Sequence, residues 1–328
     1  MTSPEDPLVS VIIAAHQADA TLGAALSSVL TQTYPSVEVI IVDDGSTDGT
    51  RQVAEAHGER VRVICQPNRG VAAARNTGFA AATGQFMAIL DADDFLFPGY
   101  LEHAVRAWQA AASTRALVTT EAYLLTPGGV WPNRTMLKFP HSPAAGQRMA
   151  ILASNFVAIF TLFPRALLDE VGPMDESLRL AEDWDLWIKA VYAGWEVVRQ
   201  PVPMALYRWT GLSLSTQREG MYAAEDRVLR GVWDRESPTM SESERTYLQR
   251  RLRDGSPRRH FSEGEDALRA GRYPDAHTHF VRAAQLSPGD RKMQLRAQLS
   301  AFRPTARLLA KRLDGVDAQT GYHEDMRH

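Results

Sequence analysis

Cysteine is almost absent from this sequence. Cys65 is the single cysteine among 328 residues, so the chain cannot form an intramolecular disulfide and gives no sign of an oxidising compartment. Long apolar runs are also missing, and the segment from Phe156 to Phe163 is far shorter than the roughly 20 residues that a membrane helix needs. The first residues are acidic, unlike a signal peptide. These absences predict a cytoplasmic protein without a transmembrane segment.

An excess of positive charge is missing too, because the formal net charge is -3. The charge is unevenly distributed: residues 241–328 carry 17 Lys and Arg against 12 Asp and Glu, whereas residues 1–240 carry 19 against 27. This balance argues against a nucleic-acid partner. An acidic first part that binds an anionic nucleotide would need compensation from a divalent cation or from a few well-placed arginines.

Short apolar runs alternate with helix-like stretches over the first 120 residues, which is typical of parallel strands joined by crossover helices. We therefore predict an α/β fold. The predicted strands are 8–15, 37–42, 60–65 and 86–90, and the predicted helices are 19–33, 49–57 and 70–83. Further along, the patterns predict helices at 100–112, 163–171 and 183–193, strands at 116–125 and 196–207, and a turn at 126–132.

Carboxylates follow two of the predicted strands. Asp43 and Asp44 end the second strand, and the cluster Asp91-Ala92-Asp93-Asp94 follows the fourth. Open α/β sheets bind ligands at this edge, and oxygen ligands of this kind suit Mg²⁺ or Mn²⁺. The alternative is a turn with capping aspartates before Pro98, because Asp-x-Asp by itself is common.

Two further elements carry candidate functional groups. Arg75 lies in an Ala-rich helix and could offer its donors to phosphate or base oxygens, although such an arginine is usually solvated. Glu182 and Asp183 begin a helix, where the helix dipole favours ionised carboxylates. One of them could act as a general base, and simple charge complementarity is the alternative.

Taken in order, the motifs at Val9–His16, Asp43–Asp48, Asn68–Gly78, Leu90–Asp94 and Glu182–Trp184 resemble those of the family 2 glycosyltransferases with the GT-A fold. The resemblance covers about residues 8–216. It implies a GT-A Rossmann-like, mostly parallel sheet flanked by helices. It also implies inverting transfer of a sugar from a nucleotide diphosphate donor, most simply a UDP-sugar, to a hydroxyl acceptor.

The resemblance assigns roles to individual residues. Asp183 would be the catalytic base, and Asp93 would be the principal ligand of Mn²⁺ or Mg²⁺. The nucleotide would contact the residues Ala14, His16, Asp44, Arg75 and Asp91, whereas Glu182, Trp184, Arg208 and Ser213 are candidate contacts of the acceptor or the diphosphate.

The sequence departs from the family pattern in two places. His16-Gln17 replaces the Tyr-Asn that many members have after the first strand, which leaves the preferred nucleobase open. Thr210 stands where many relatives have a histidine, and a threonine is a poor substitute for an imidazole ligand. Whether the metal is essential is therefore left open at this point.

The C-terminal part is predicted to be an all-helical, Arg-rich extension, with the glycosyltransferase domain at 1–240 and the extension at 241–328. Residues 261–288 resemble a single tetratricopeptide repeat. A lone repeat cannot bury its apolar face, so it should pack on the catalytic domain or on a helix at 304–313, with a peptide-binding module as the alternative. The histidines show no metal-ligand spacing.

Partners follow from the resemblance and from the charge of the tail. A glycan or a lipid-linked acceptor in surface polysaccharide or glycoconjugate synthesis fits the family. The basic tail could contact the inner face of a membrane, and the helical tail could bind a protein partner or a second copy, although a solvated surface is the simpler interpretation.

Two rival functions remain. A nucleotidyltransferase predicts a basic triphosphate loop after the first strand, and residues 14–21 contain neither Lys nor Arg. A non-catalytic protein with a degenerate site would use the helical tail for docking, and the intact Asp91, Asp93 and Asp183 argue against it.

Overall fold

The structure, a computed structural model, describes residues 6–135, 143–209, 218–287 and 290–320, with only the backbone at 132–134 and 314–320. The chain divides into two compact units, residues 1–213 and 214–328. The boundary predicted from the sequence lies between 240 and 241, whereas the described residues 218–240 belong to the second unit.

A parallel sheet forms the first part of unit 1. Its strand order is β3-β2-β1-β4. β1 is a central strand, because it pairs with β2 on one side and β4 on the other, and its residues from Val9 to Ile13 are fully buried. Crossover helices join the strands, as the alternation of patterns predicted. The elements are β1 (Val9–Ala15), α1 (Leu22–Leu30), β2 (Val37–Asp43), α2 (Thr50–Glu55), β3 (Arg62–Cys65), α3 (Val71–Ala81) and β4 (Phe86–Asp91).

The register of these strands brings their carboxyl ends to one edge of the sheet. Ala15 of β1 lies opposite Asp43 of β2, and Ala14 lies opposite Asp91 of β4. The carboxylates that end β2 and β4 therefore flank the end of β1, which is where open α/β sheets bind ligands.

The rest of the sheet is mixed. It continues from β4 in the order β8-β6-β9-β5, and β7 pairs with β6. The β6 and β9 strands are parallel to each other, whereas β8 is antiparallel to both β4 and β6. The strands are β5 (Phe95–Leu96), β6 (Ala116–Thr126), β7 (Gly129–Thr135), β8 (Thr161–Pro164) and β9 (Glu196–Arg208).

The described residues of unit 1 also form the α-helices α4 (Tyr100–Gln109), α5 (Gln147–Ala153), α6 (Arg165–Val171) and α7 (Glu182–Tyr192). Trp187 of α7 is fully buried, and its ring lies 5.6 Å from that of Phe163 in β8 in an edge-to-face arrangement. The predictions of a helix from 163 and of a turn up to 132 were partly wrong. Phe163 belongs to β8, and β7 begins at Gly129, because pairing with neighbouring strands decides such short segments.

The part of unit 2 that the structure describes is helical, as predicted for the extension that begins at residue 241. Its helices α10 and α11 form the hairpin that resembles a tetratricopeptide repeat, and Phe261 and Phe280 contact each other at its centre. Ala306 and Leu313 of α13 complete this apolar core, which confirms packing on the helix at 304–313. The helices are α8 (Arg218–Glu236), α9 (Glu242–Asp254), α10 (Pro257–Arg269), α11 (Tyr273–Leu286), α12 (Arg291–Ser300) and α13 (Arg303–Thr320).

Among the described residues, none of the helices combines the length and the apolar character that crossing a bilayer requires.

Candidate active site

The loops that follow β1 and β2 are linked to each other. The backbone N–H of Gln17 donates to Ser46 Oγ (3.1 Å), and the backbone N–H of Thr47 donates to Gln17 Oε1 (2.7 Å). Gln17 has a left-handed backbone (φ 51°), a conformation that is costly for a non-glycine residue. Just before this link, His16 is exposed and Ala14 is half-buried. Both predicted base-pocket residues therefore lie at the ligand edge of the sheet.

The carboxylate of Asp44 binds the loop that leads into α3. It accepts hydrogen bonds from Gln66 Nε2 (2.8 Å) and from the backbone N–H groups of Arg69 (2.9 Å) and Gly70 (2.8 Å). Gly70 has φ +92°, and a Cβ there would collide with the guanidinium of Arg179. Asp44 thus fixes the conformation of the loop before α3, and its direct contact with a nucleobase stays a prediction.

Arg75 joins two motifs that are far apart in sequence. Its Nη2 lies 2.6 Å from Asp91 Oδ1 and its Nη1 lies 2.5 Å from Glu182 Oε1, although its side chain is only 4% exposed. Burial by itself would lower the pKa of Arg75, but the carboxylates of Asp91 and Glu182 more than offset this and raise it. Because both terminal nitrogens are engaged, Arg75 positions carboxylates here, and its predicted contact with the nucleotide stays a prediction.

The cluster at the end of β4 brings carboxylates together where burial disfavours their ionised forms. Burial, together with the charge of Asp91, raises the pKa of Asp93 to about 6. Burial and the charges of Asp91 and Asp93 raise the pKa of the fully buried Asp94 well above its usual range. Asp94 Oδ1 accepts the backbone N–H of Arg208 (2.7 Å), whereas Oδ2 has no partner among the residues that the structure describes. The cluster therefore holds more negative charge than its neighbours neutralise.

Arg208 lies at this cluster, and its predicted contact with the acceptor or the diphosphate stays a prediction. Its Nε donates to the backbone carbonyl of Asp93 (2.9 Å), and its guanidinium lies 5.3 Å from the ring centre of Phe95. The pairing of β9 with β5 brings it there, because Phe95 lies opposite Leu206.

The donor set fits a divalent cation. Carboxylate oxygens are the ligands that Mg²⁺ and Mn²⁺ prefer, and the side chain of Asp91 is 31% exposed at the edge of the sheet. Asp94 Oδ2 is buried without a hydrogen-bond partner among the described residues, and burial raises the pKa of Asp93, so a positive charge beside the cluster would be favourable. Asp91 and Asp93 are therefore the residues that could hold the ion.

Asp183 lies at the start of α7, beside the Arg75 bridge. Burial and the neighbouring charge of Glu182 raise its pKa to about 7, although Arg75 opposes the shift. Its Oδ2 accepts a hydrogen bond from Asn155 Nδ2 (3.1 Å). Ala181, just before the helix, has a left-handed backbone (φ 59°), a strained conformation that is common at functional sites. A half-buried carboxylate with this pKa is suited to general base catalysis.

The remaining site residues include one that was missed, one that packs between helices and two outside the described residues. Asn155 was missed, because a lone asparagine in the stretch 126–159 belongs to no motif. Trp184 is 4% exposed and its Nε1 donates to the carbonyl of Ile151 (2.8 Å), so it packs α7 on α5, and its contact with an acceptor stays a prediction. Ser213 and Thr210 lie outside the described residues.

Sequence comparison decides the family. The family described as "Glycosyl transferase family 2" matches residues 10–172. The succinoglycan biosynthesis protein ExoU of Rhizobium meliloti (strain 1021) is 30% identical over 288 residues, which is 83% of this chain and 83% of that protein. The chain belongs to glycosyl transferase family 2. An uncharacterized glycosyltransferase of Rickettsia prowazekii (strain Madrid E) is 28% identical over 188 residues, 56% of this chain and 58% of that protein, so the match spans little more than half of that relative.

Solved structures agree on the fold of this glycosyltransferase family member. The crystal structure of S. aureus TarS 1-349 in complex with UDP-GlcNAc superposes with a TM-score of 0.60 at 18% sequence identity, covering 97% of this chain and 93% of that chain. The predicted GT-A fold, with a helical C-terminal region, is confirmed.

Proposed function

We propose that this chain is an inverting glycosyltransferase that moves a sugar from a nucleoside diphosphate donor, with a UDP-sugar as the first choice, to a hydroxyl acceptor. The observation that carries the proposal is the Arg75 bridge. It places Asp91, from the predicted donor-binding motif, and Glu182, next to the predicted base Asp183, on one guanidinium.

In this proposal, Asp183 accepts the proton of the acceptor hydroxyl while that oxygen attacks the anomeric carbon. The bond between the anomeric carbon and the diphosphate oxygen breaks in the same displacement, so that the configuration inverts and the nucleoside diphosphate leaves. Asn155 orients the carboxylate of Asp183 (3.1 Å), and Arg75 holds Glu182 beside it. No covalent enzyme intermediate is needed, because a single base suffices.

The leaving diphosphate needs charge neutralisation. A Mg²⁺ or Mn²⁺ ion, when bound to Asp91 and Asp93, would supply it as a Lewis acid. Arg208, whose Nε lies 2.9 Å from the carbonyl of Asp93, is the nearby side chain that would add a positive charge. Ala14, His16 and Asp44 would line the nucleobase pocket.

The biological setting is proposed from relatives. Succinoglycan biosynthesis is named for ExoU, and an Escherichia coli chondroitin synthase is 29% identical over 197 residues, 57% of this chain and 27% of that protein. We therefore propose surface polysaccharide or glycoconjugate synthesis, with a glycan or lipid-linked acceptor. A cytoplasmic location, contact of the basic tail with the inner membrane face, and a protein partner or self-association at the helical tail stay predictions.

Nucleotide binding tests this function directly. Purified chain is titrated calorimetrically with UDP, GDP and dTDP, each with and without Mn²⁺, and transfer or hydrolysis of the matching nucleotide sugars is then assayed. We expect one diphosphate to bind in a Mn²⁺-dependent manner, with binding weakened strongly in Asp93→Asn. No response to any nucleoside diphosphate with metal would favour the non-catalytic alternative and contradict the proposal.

A further inference from the structure

Two histidines and one glutamate of unit 2 meet on the α10–α11 hairpin. His260 and Glu263 lie one turn apart on α10, and His279 reaches them from α11. His260 is 6% exposed, and the side chains of His279 and Glu263 are 29% and 37% exposed. The sequence predicted no metal-ligand spacing among the histidines. The hairpin brings together His260 and His279, which lie 19 positions apart.

The distances among the three ligand atoms match one coordination sphere. His260 Nδ1 lies 3.3 Å from His279 Nδ1, and Glu263 Oε2 lies 3.0 Å from His279 Nδ1 and 3.5 Å from His260 Nδ1. A tetrahedral zinc ion with bonds of about 2.0–2.1 Å separates its ligand atoms by about 3.3–3.4 Å. Three atoms at these separations can therefore bind one ion with little movement.

Contacts outside this triangle orient two of the three groups. His260 Nε2 lies 2.6 Å from the backbone carbonyl of Asp254, and a carbonyl oxygen only accepts, so the ring proton is on Nε2 and Nδ1 carries a lone pair. Arg259 Nε donates to Glu263 Oε1 (3.0 Å), which leaves Oε2 for the histidines. Metal-binding histidines and carboxylates are typically held by such hydrogen bonds.

The surroundings leave room for a further ligand. Glu263 and His279 line a cavity of about 450 Å³ whose wall also contains Asp266 and Asp275. These carboxylates favour a cation there, whereas Arg272 of the same wall and Arg259 oppose it.

We propose that His260, Glu263 and His279 form a zinc site that joins α10 to α11, with a water molecule as the fourth ligand on the cavity side. Imidazole nitrogens with one carboxylate are a typical zinc donor set, and three protein ligands with one open position are typical of accessible sites. The site is independent of the Mg²⁺ or Mn²⁺ predicted at Asp91 and Asp93, where every donor is an oxygen. The bound ion would stabilise unit 2, since a ligand that binds only the folded state raises its stability.

Zinc titration of the full-length chain in the Asp93→Asn background tests the proposal, because that substitution weakens the other candidate metal site. After treatment with a chelator, we expect one equivalent of Zn²⁺ to bind and the melting temperature to rise. We expect His279→Ala to weaken binding by at least about 100-fold and Glu263→Gln by about 10–100-fold, given the sensitivity of zinc sites to their ligand shells. Co²⁺ bound in place of Zn²⁺ should give the visible absorption of a tetrahedral complex.

His277→Ala is the matched control, since it removes a histidine from the same helix whose Nδ1 lies near Ser300 Oγ (3.1 Å) instead. It should keep zinc affinity within about twofold, because it removes no ligand. If zinc binds no more tightly to the parent chain than to Glu263→Gln and His279→Ala, or if Co²⁺ gives no tetrahedral spectrum, the cluster is only a hydrogen-bonded network and the proposal is wrong. In the chain with Asp93 intact, absence of sugar transfer together with normal zinc binding would count against the proposed function alone.

Discussion

Among the described residues, each of the two units contains a buried arginine that bridges two carboxylates. In unit 1, Arg75 (4% exposed side chain) contacts Asp91 and Glu182. In unit 2, Arg251 (2% exposed) contacts Glu225 at 2.9 Å and Asp226 at 3.1 Å. In both cases one carboxylate is nearly buried and the other is about one-third exposed. The two bridges are therefore alike in geometry and burial.

Their surroundings differ. The unit 2 bridge is balanced, because Ser256 Oγ donates to Glu225 Oε2 (3.1 Å) and Arg258 lies 3.9 Å from Glu225. The unit 1 bridge is surrounded by the further carboxylates Asp93, Asp94 and Asp183, each with a raised pKa. The unit 2 bridge joins α8 to α9, whereas the unit 1 bridge lies among buried carboxylates with raised pKa values, an arrangement that is common at functional sites.

The largest expected effect tests the role of Asp183. Asp183→Asn should lower the rate of transfer by on the order of 10²–10⁴-fold, because an amide cannot accept the proton of the acceptor. Nucleotide affinity should change little, and parallel rate assays and UDP titrations measure both. Asp169→Asn, an exposed position on α6, is the control. A large loss of UDP affinity in Asp183→Asn would refute its assignment as the base.

Removing either bridging arginine compares the two units directly. Arg75→Met and Arg251→Met should each lower the free energy of unfolding by about 3–5 kcal/mol, because each leaves buried carboxylates without their partner. Only Arg75→Met should also lower transfer at temperatures where both variants are folded. Chemical denaturation and rate assays provide the two measurements. Equal transfer by the two variants would mean that the Arg75 bridge is merely structural.

The pH dependence of transfer tests whether Asp183, with its raised pKa, acts as the base. A base must be deprotonated to act, so with the pKa of Asp183 near 7 the rate should fall as the pH decreases through 7. The slope should approach about tenfold per pH unit below that value. Nucleotide affinity is measured over the same range, because the pKa of Asp93 is about 6. A single base with a pKa near 7 titrates between about pH 8 and about pH 5. A rate that stays constant over this range would therefore argue against Asp183 as the base.

The smallest effect concerns the packing of unit 2. A Cβ on Gly264 would lie 2.7 Å from the ring of Phe280, so Gly264→Ala should destabilise the chain by about 1–3 kcal/mol. Gly231→Ala, in α8, meets only the flexible end of Arg235 and should be neutral or stabilise by up to about 1 kcal/mol. Thermal denaturation measures both. We expect transfer to be unchanged in both, and its loss in Gly264→Ala would show that catalysis depends on the α10–α11 hairpin.

Much of the fold followed from the sequence. The strands β1 to β4 were predicted within two residues at each end, because β-branched runs that end in Asp43 or Asp91 give a strong local signal. The strands β5, β7 and β8 were missed. They have two, seven and four residues, and pairing with strands far along the chain decides their conformation.

The candidate site was predictable in its residue types but not in its contacts. Asp91, Asp183 and Arg208 were identified from motifs, and the structure places Asp91 and Arg208 at the β4 end and Asp183 beside the Arg75 bridge. The partner of Asp183, Asn155, was missed because nothing in its local sequence distinguishes it from other asparagines.

The sequence by itself determined which chemical groups follow the strands of the sheet, since strand propensity, turn residues and motif spacing are local properties. Only the tertiary structure decided that Arg75 pairs with residues 16 and 107 positions away, and that His260 and His279 face each other across a hairpin. Ion pairing and metal binding depend on distance and burial in space, and these arise only when the packing of the whole unit is complete.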